Sequence, residues 1–302
     1  MSKGWWRWIR AALGLAIVGY AVRFLVRNWE QVKAADLAWR IDPIAIVGSL
    51  ALVLATYALL VEGWRRMVAG WGTRLPWWVA ARIWVLSSMG KYLPLKVWAI
   101  AGMAVLGREA GVPAWVATAS AVVLQIVSIG TGALVVALTG TTALEAANPG
   151  AQAALAALVG IAIASLAFVL WPKPLNWLLR RLGGEVTISA PATGPLLTGV
   201  VINAVAWVLY GVALAWLARG VFAESALSVP AAIGAFTASY LAGFLFLLAP
   251  GGLGVRELVF VMLTQSALGP SKALALAAVS RVGMTLADLL AAAPFVVRRR
   301  TQ

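Results

Sequence analysis

Eight apolar stretches near or above the length needed to cross a membrane divide the chain. A transmembrane helix needs about 20 consecutive apolar residues, because the hydrocarbon core of a bilayer is about 30 Å thick. Six stretches are near that length, and two are longer. This pattern predicts an all-α, polytopic integral membrane protein. The stretches are Ile9–Val26, Ile44–Val61, Pro76–Leu106, Trp115–Leu138, Ala151–Trp171, Pro195–Leu217, Val229–Leu268 and Lys272–Val297.

The third and seventh stretches are too long for one span, and both contain residues that stop a helix. Proline lacks a backbone N–H and glycine favours non-helical conformations, so neither stretch is expected to be one continuous helix. We expect breaks at Gly90 and Pro94 in the stretch 76–106. In the stretch 229–268 we expect them at Pro250, Gly251, Gly252 and Gly254.

Basic clusters between the stretches indicate the orientation, because Lys and Arg in short loops stay on the cytoplasmic side. If both interrupted stretches crossed the membrane fully, these clusters would fall on conflicting sides. The conflict disappears if 76–106 enters and leaves from the cytoplasm and 229–268 enters and leaves from outside. We therefore expect six spanning helices, two re-entrant hairpins and both termini on the cytoplasmic side of the cell membrane. The clusters are Arg65/Arg66/Arg74, Lys173/Arg180/Arg181 and Arg298/Arg299/Arg300.

Composition agrees with a membrane protein and excludes several kinds of chemistry. Hydrophobic residues make up 63% of the chain and charged residues 11%, whereas soluble domains carry about 25% charged residues. The net charge of +14 lies in short clusters beside apolar runs, which indicates membrane topology and no nucleic-acid partner. The chain has no Cys and no His, so we expect no disulfide, no metal or cofactor bound through these residues, and no histidine-based catalysis.

Tryptophans are frequent near the ends of the stretches. There are 16 in the chain, and those near stretch ends include Trp64, Trp77, Trp78, Trp171 and Trp177. Tryptophan is enriched at the interface between membrane and water. We expect these residues to be interfacial anchors.

The two halves of the chain have the same order of a span, an interrupted hairpin and a span. Pro94 and Pro250 lie 156 positions apart, as do Gln125 and Arg281. Because the hairpins are expected to enter from opposite sides, the halves predict an inverted-topology repeat within one transmembrane domain. Repeat 1 is 44–138 and repeat 2 is 195–293.

The first break carries candidate ligands for an anion. The half-helix after it would direct free N–H groups towards the membrane centre, and such an end favours negative charge. Lys91, Tyr92 and Lys96 lie beside it. A lysine at depth costs about 2.5–3.5 kcal/mol, which makes it a functional candidate by default. The alternative is that each lysine extends to the interface.

The second break and the last helix supply the other candidates. Arg256 and Glu257 fall in the first turn of the return helix, where Arg256 could bind a phosphate or carboxylate. Arg281 and Asp288 are seven residues apart, on one helix face. They are either a relay or gating pair or part of a structural ion pair with the second hairpin. Gln125 and Asn203 are expected to bond between helices.

The two breaks resemble those of the flippase-like family, to which the transmembrane domain of lysylphosphatidylglycerol synthases belongs. The resemblance rests on the runs Gly90–Trp98 and Pro250–Glu257, followed by Arg281, and it extends over nearly the whole chain. It implies a protein that moves lipids with polar headgroups between leaflets, in a stand-alone form without the aminoacyl-transfer domain. Leu95, where the family often has glycine, and Leu124, where it often has an acidic residue, depart from the pattern.

The expected function is therefore an anionic-lipid flippase rather than an enzyme. The lipid would be a phospholipid or a polyprenyl-phosphate-linked glycan carrier, bound by Lys91, Lys96 and Arg256. Two alternatives stay open, namely a membrane-embedded glycosyltransferase or lipid-modifying enzyme, and a non-transporting partner of one. A glycosyltransferase or lipid-synthesis enzyme is also an expected partner of a flippase in such a pathway.

Overall fold

The computed structural model describes residues 41–93, 97–139, 149–183, 191, 193–222, 226–246, 250–252 and 254–297, and these residues form ten α-helices and two short 3-10 turns. The expected first span, Ile9–Val26, and two candidate residues, Pro94 and Lys96, lie outside them. The helices of the first half are α1 (Pro43–Ala69), α2 (Trp77–Ser88), α3 (Val97–Glu109), α4 (Ala114–Thr139) and α5 (Pro149–Leu170). Those of the second half are α6 (Pro172–Gly183), α7 (Thr193–Val221), α8 (Val229–Leu245), α9 (Val255–Leu268) and α10 (Pro270–Val297).

Four of the described helices, α1, α4, α7 and α10, are long and apolar enough to cross a membrane. Helices α5 and α6 meet at a bend of 77° and pass the same test only together, which gives up to five spans. The sequence-based expectation of a helical multi-pass membrane protein is confirmed at this level. The finer count of six spans stays a prediction.

Local sequence explains where several helices begin. Asp42 accepts hydrogen bonds from the backbone N–H groups of Ile44 and Ala45, at 2.9 and 3.2 Å, and Pro43 occupies the first helical position of α1. Ser228 caps α8 through the N–H of Ala231 at 3.4 Å. These side chains satisfy N–H groups that have no partner within the helix.

The first interrupted stretch forms a helical hairpin. Helix α2 ends at Ser88, a 3-10 turn covers Met89–Tyr92, and α3 begins at Val97. The two helices run antiparallel, because a Cβ added at Gly90 would lie 2.5 Å from the backbone nitrogen of Ala99, and one added at Gly102 would lie 3.3 Å from the Cα of Ser87. Glycine at position 90 therefore allows the close approach at the tip.

The second interrupted stretch forms a hairpin of the same kind. Helix α8 ends at Leu245, a turn covers Pro250–Gly252, and α9 begins just after Gly254. A Cβ added at Gly252 would lie 2.8 Å from the Cα of Gly243, so the backbones touch here as well. The tips of the two hairpins contact each other in the interior.

Helices α1 and α7 are antiparallel and define the two ends of the molecule. The N–H of Asp42, before α1, donates to the carbonyl oxygen of Gly220, near the end of α7, at 2.8 Å. At the other end, a Cβ added at Gly70 would lie 2.9 Å from Cγ of Pro195.

Each hairpin begins and ends at one end of the molecule, and the two hairpins use opposite ends. Around the first hairpin, the rings of Trp71 and Trp115 lie 6.4 Å apart, near the end of α1. Around the second, the Lys272 ammonium lies 5.9 Å from the ring of Phe222, just after α7. The two tips therefore reach the interior from opposite directions.

Tryptophan burial agrees with the expected interfacial role except at one position. Trp77, Trp78, Trp171 and Trp177 are exposed, as anchors should be. Trp64 is fully buried, and its indole N–H donates to the hydroxyl of Ser120 at 2.9 Å. The expectation was wrong for Trp64, because a tryptophan near a span end can pack inwards when a neighbouring helix offers an acceptor for its N–H.

Replacing Gly211 by alanine tests the packing of α7 on α8. A Cβ at this position would lie 2.3 Å from the Cα of Ile233, a backbone atom that cannot rotate away. We expect Gly211→Ala to cost about 1–3 kcal/mol and to lower the Tm of the detergent-solubilised protein clearly. Gly160→Ala is the matched control, since it lies inside α5 with nothing within 4 Å, and it should leave the Tm unchanged or slightly raised. Equal Tm values for the two variants would contradict this packing.

Candidate functional site

A cavity of about 410 Å³ lies beside the two hairpin tips. Sites for small molecules have volumes of about 300–1,000 Å³. Side chains from most of the long helices and from both tips line this cavity. The charged ones among the described lining residues are Lys91, Arg256, Arg281 and Asp288.

Asp288 of α10 connects three elements. Its carboxylate accepts hydrogen bonds from the hydroxyl of Tyr57 on α1 at 2.7 Å and from that of Tyr92 on the first tip at 2.5 Å. The Lys91 ammonium lies 2.6 Å from Oδ2 of this carboxylate and donates to its Oδ1 at 2.9 Å. A carboxylate with a 3% exposed side chain is tolerated because charged and hydroxyl donors surround it.

Arg281, two turns before Asp288 on α10, holds the second tip. Its guanidinium donates to the carbonyl oxygen of Gly251 at 2.9 Å and lies 3.7 Å from the carboxylate of Glu257. Gly251 has φ of +58°, a conformation that glycine adopts without strain. The alternative of a structural ion pair between α10 and the second hairpin therefore applies to Arg281.

Glu257 is already used by its own helix. Its carboxylate accepts a hydrogen bond from the N–H of Gly254 at 2.8 Å, which caps the N-terminus of α9. A helix N-terminus with free N–H groups would favour a ligand anion. In the structure a side-chain carboxylate takes part of that role, because an acidic residue in the first turn reaches back to the N-terminal N–H groups.

Arg256 is a buried cation with no ion-pair partner within 4 Å among the described residues. It is 8% exposed and lines the cavity. The guanidinium carbon lies 5.1 Å from the ring centre of Phe236 and 5.2 Å from that of Tyr240. Within the described part of the chain, Arg256 forms neither a hydrogen bond nor an ion pair within 4 Å. Its donors are available to a ligand in the cavity.

The candidate residues from the sequence are therefore mostly brought together. Lys91, Tyr92, Arg256, Arg281 and Asp288 line one cavity, with Gly251 beside them. Glu257 lies behind Arg281. Lys96 stays a prediction, since it falls outside the described residues.

Aromatic side chains form a part of the cavity wall that the sequence does not identify. Their rings include those of Tyr57, Trp84, Trp207, Tyr210 and Tyr240. Single tyrosines inside apolar spans are a signal that could have found Tyr57 and Tyr210, because a buried hydroxyl needs a partner.

Gln125 and Asn203 also line the cavity. The expectation that Asn203 bonds to another helix was wrong, since its amide donates to the carbonyl oxygen of Gly199 in its own helix at 2.9 Å. Gln125 forms no side-chain hydrogen bond with any described residue.

Comparison of the sequence with known protein-family models and with curated proteins finds no match.

Removing the charge of Asp288 tests the Lys91 pair. Asp288→Asn leaves a buried ammonium without its counter-ion, so we expect a loss of about 3–5 kcal/mol in unfolding free energy and a large drop in Tm. The double variant Lys91→Met/Asp288→Asn should recover part of that loss. Glu62→Gln is the control, since Glu62 pairs with Arg65 and the exposed Arg66 and should change stability by about 1 kcal/mol or less. A single variant as stable as the double one would contradict the buried pair.

Proposed function

We propose that the protein is a flippase that moves an anionic lipid between the leaflets of the cytoplasmic membrane. The observation that supports this most is Arg256, a buried guanidinium with no anionic partner among the described residues, which faces a cavity between apolar helices. Burying an unpaired charge is costly, and such residues in membrane proteins mark substrate sites. A lipid phosphate bound there would supply the missing charge through paired N–H···O hydrogen bonds.

The two hairpins fit the re-entrant arrangement that this proposal needs. Each begins and ends at one end of the molecule, and the two approach from opposite ends with their tips in contact. Non-helical backbone at membrane depth is tolerated where it is buried in protein or lines a cavity. We therefore propose that both are re-entrant, that 44–138 and 195–293 are inverted repeats, and that the described spans belong to a six-span protein.

Transport would follow from movement of one repeat against the other. Sites of this kind lie near the membrane midplane at the interface between repeats, and rocking of the repeats opens them to each side in turn. Here Asp288 and Arg281 of repeat 2 hold the tips of both hairpins. The headgroup would enter the cavity while the acyl chains stay in lipid.

The proposed family is the flippase-like family, on the residues of the two breaks. The rival assignment to a lipid-modifying enzyme gains little support from the cavity. Its lining carboxylate, Asp288, already accepts from Tyr57, Tyr92 and Lys91. A general base needs a carboxylate that is free to accept the substrate proton.

Reconstitution into vesicles tests the transport proposal. The purified protein should accelerate the movement of acyl-chain-labelled phosphatidylglycerol between leaflets, measured by dithionite quenching of the label. Arg256→Gln keeps the size of the side chain roughly and removes its charge, so the rate should fall by about tenfold or more, as loss of a charged hydrogen bond predicts.

Arg108→Gln is the matched control, because Arg108 is an exposed residue in the last turn of α3 and does not line the cavity. It should leave the rate unchanged. The proposal fails if no anionic lipid moves faster with the protein than without it. It also fails if Arg256→Gln behaves like Arg108→Gln, or if the pure protein transfers a labelled sugar to a lipid acceptor.

A further inference from the structure

We infer that the lipid carries one negative charge on a phosphodiester and hydroxyl groups beyond it. This inference rests on the proposed function and identifies the headgroup that the same cavity would bind. Two lipid sources share this chemistry, namely a glycerophospholipid with a polyol headgroup and a polyprenyl-phosphate-linked sugar.

The charges around the cavity support the first part of the inference, which is that the lipid carries one negative charge. Lys91 is neutralised by Asp288 at 2.6 Å, and Arg281 by Glu257 at 3.7 Å. Arg256 lacks a carboxylate partner among the residues that the structure describes. The described cavity wall therefore carries one uncompensated positive charge.

One uncompensated charge on the described part of the cavity wall selects against other headgroups. A phosphomonoester carries about −1.5 to −2 charges near neutral pH, and a diphosphate carries more than a single diester. Either would leave buried negative charge without a partner, which is costly at low dielectric. A zwitterionic headgroup brings an ammonium whose natural acceptor here, Asp288, is already bound by three side chains.

Neutral polar side chains in the same cavity support the second part of the inference, which is that the headgroup carries hydroxyl groups. Gln125 and Ser128 lie one turn apart on α4, and neither side chain bonds to another described residue. The side-chain carbonyl of Asn203 on α7 is also left to accept, since the hydrogen bond to Gly199 is donated by its amide nitrogen. Such groups match hydroxyls, which both donate and accept.

Indole rings accompany these polar groups. Trp84 and Trp207 line the cavity with them. The N–H of Trp207 already donates to the backbone carbonyl of Ser128 at 3.1 Å, so the ring presents its apolar surface rather than a free donor. Apolar walls with a few polar groups are typical of sites that orient a ligand. The C–H faces of a glycerol or a sugar ring fit such a wall.

The first experiment compares lipids whose headgroups carry different charges. Vesicles containing the full-length protein are assayed with acyl-labelled phosphatidylglycerol, phosphatidic acid and phosphatidylcholine. A prenyl-labelled phosphoryl hexose and its diphosphoryl counterpart form a second pair. We expect each monoanionic diester to move about tenfold or more faster than its more highly charged counterpart, and phosphatidylglycerol to exceed phosphatidylcholine by a similar factor. The faster of the two diesters identifies the lipid source.

Variants that change the charge count should change this preference. Asp288→Asn and Glu257→Gln each release one lysine or arginine from its partner, which brings the uncompensated charge to two. Both should raise the rate of phosphatidic acid relative to phosphatidylglycerol by about tenfold. The ratio is measured within one preparation, so a smaller folded fraction does not affect it, and the two variants perturb different elements.

A lipid without hydroxyls tests the polar wall. Phosphatidylethanol is a monoanionic diester like phosphatidylglycerol but has no headgroup hydroxyl. We expect phosphatidylglycerol to move several-fold faster than phosphatidylethanol, and Gln125→Leu to reduce the ratio of the two rates. Ser128→Ala should act in the same direction.

The outcomes separate this inference from the flippase proposal. If phosphatidylglycerol moves but phosphatidic acid or the diphosphoryl lipid moves as fast, the charge rule is wrong and transport still stands. If phosphatidylethanol moves as fast as phosphatidylglycerol, the hydroxyl requirement is wrong. If none of these anionic lipids moves, the proposed function itself is wrong.

Discussion

Broken helices inside an apolar bundle require partners for the backbone groups that the breaks expose, and the rest of the site depends on how this is met. In the second hairpin, Arg281 donates to the carbonyl oxygen of Gly251, and Glu257 accepts from the N–H of Gly254. Because Arg281 and Glu257 are buried in the bundle, these bonds replace hydration. The two side chains are charged, and their charges cancel across 3.7 Å. The side chains that bond to the exposed backbone groups are therefore charged, but together they add no net charge.

Helix α10 contacts both hairpins through charged side chains. Arg281 binds the second tip, and Asp288, two turns further along the same helix, binds Lys91 and Tyr92 of the first. A helix is stiff over two turns, so the spacing between the two anchoring points is fixed by covalent geometry and backbone hydrogen bonding. A displacement of one tip relative to α10 would have to break a charged contact. The pairs that stabilise the folded state are therefore also the contacts that a transport cycle would have to alter.

The sequence alone predicts the breaks and the residue types around them, because Gly and Pro act locally and a charge in an apolar run stands out. It does not predict the pairing. Helical spacing pairs Asp288 with Arg281, but Tyr57 and Lys91, from positions more than 190 residues away in the chain, are its partners. The expectation for Trp64 fails for the same reason, since an acceptor on a neighbouring helix, Ser120, allows this side chain to pack inwards. The aromatic wall of the cavity has no periodic signature at all.

Arg256 and Glu257 show how neighbouring opposite charges can stay separate. Consecutive side chains on a helix point about 100° apart, so Glu257 reaches the helix end and Arg281 while Arg256 lies against the rings of Phe236 and Tyr240. A cation against an aromatic face gains about 0.5–2 kcal/mol. The face stabilises the guanidinium but does not neutralise it, and no described residue accepts a hydrogen bond from its planar N–H edge. A carboxylate in the same place would have removed both the charge and the donors. The aromatic contact is therefore what allows a buried arginine to remain ready for an anion.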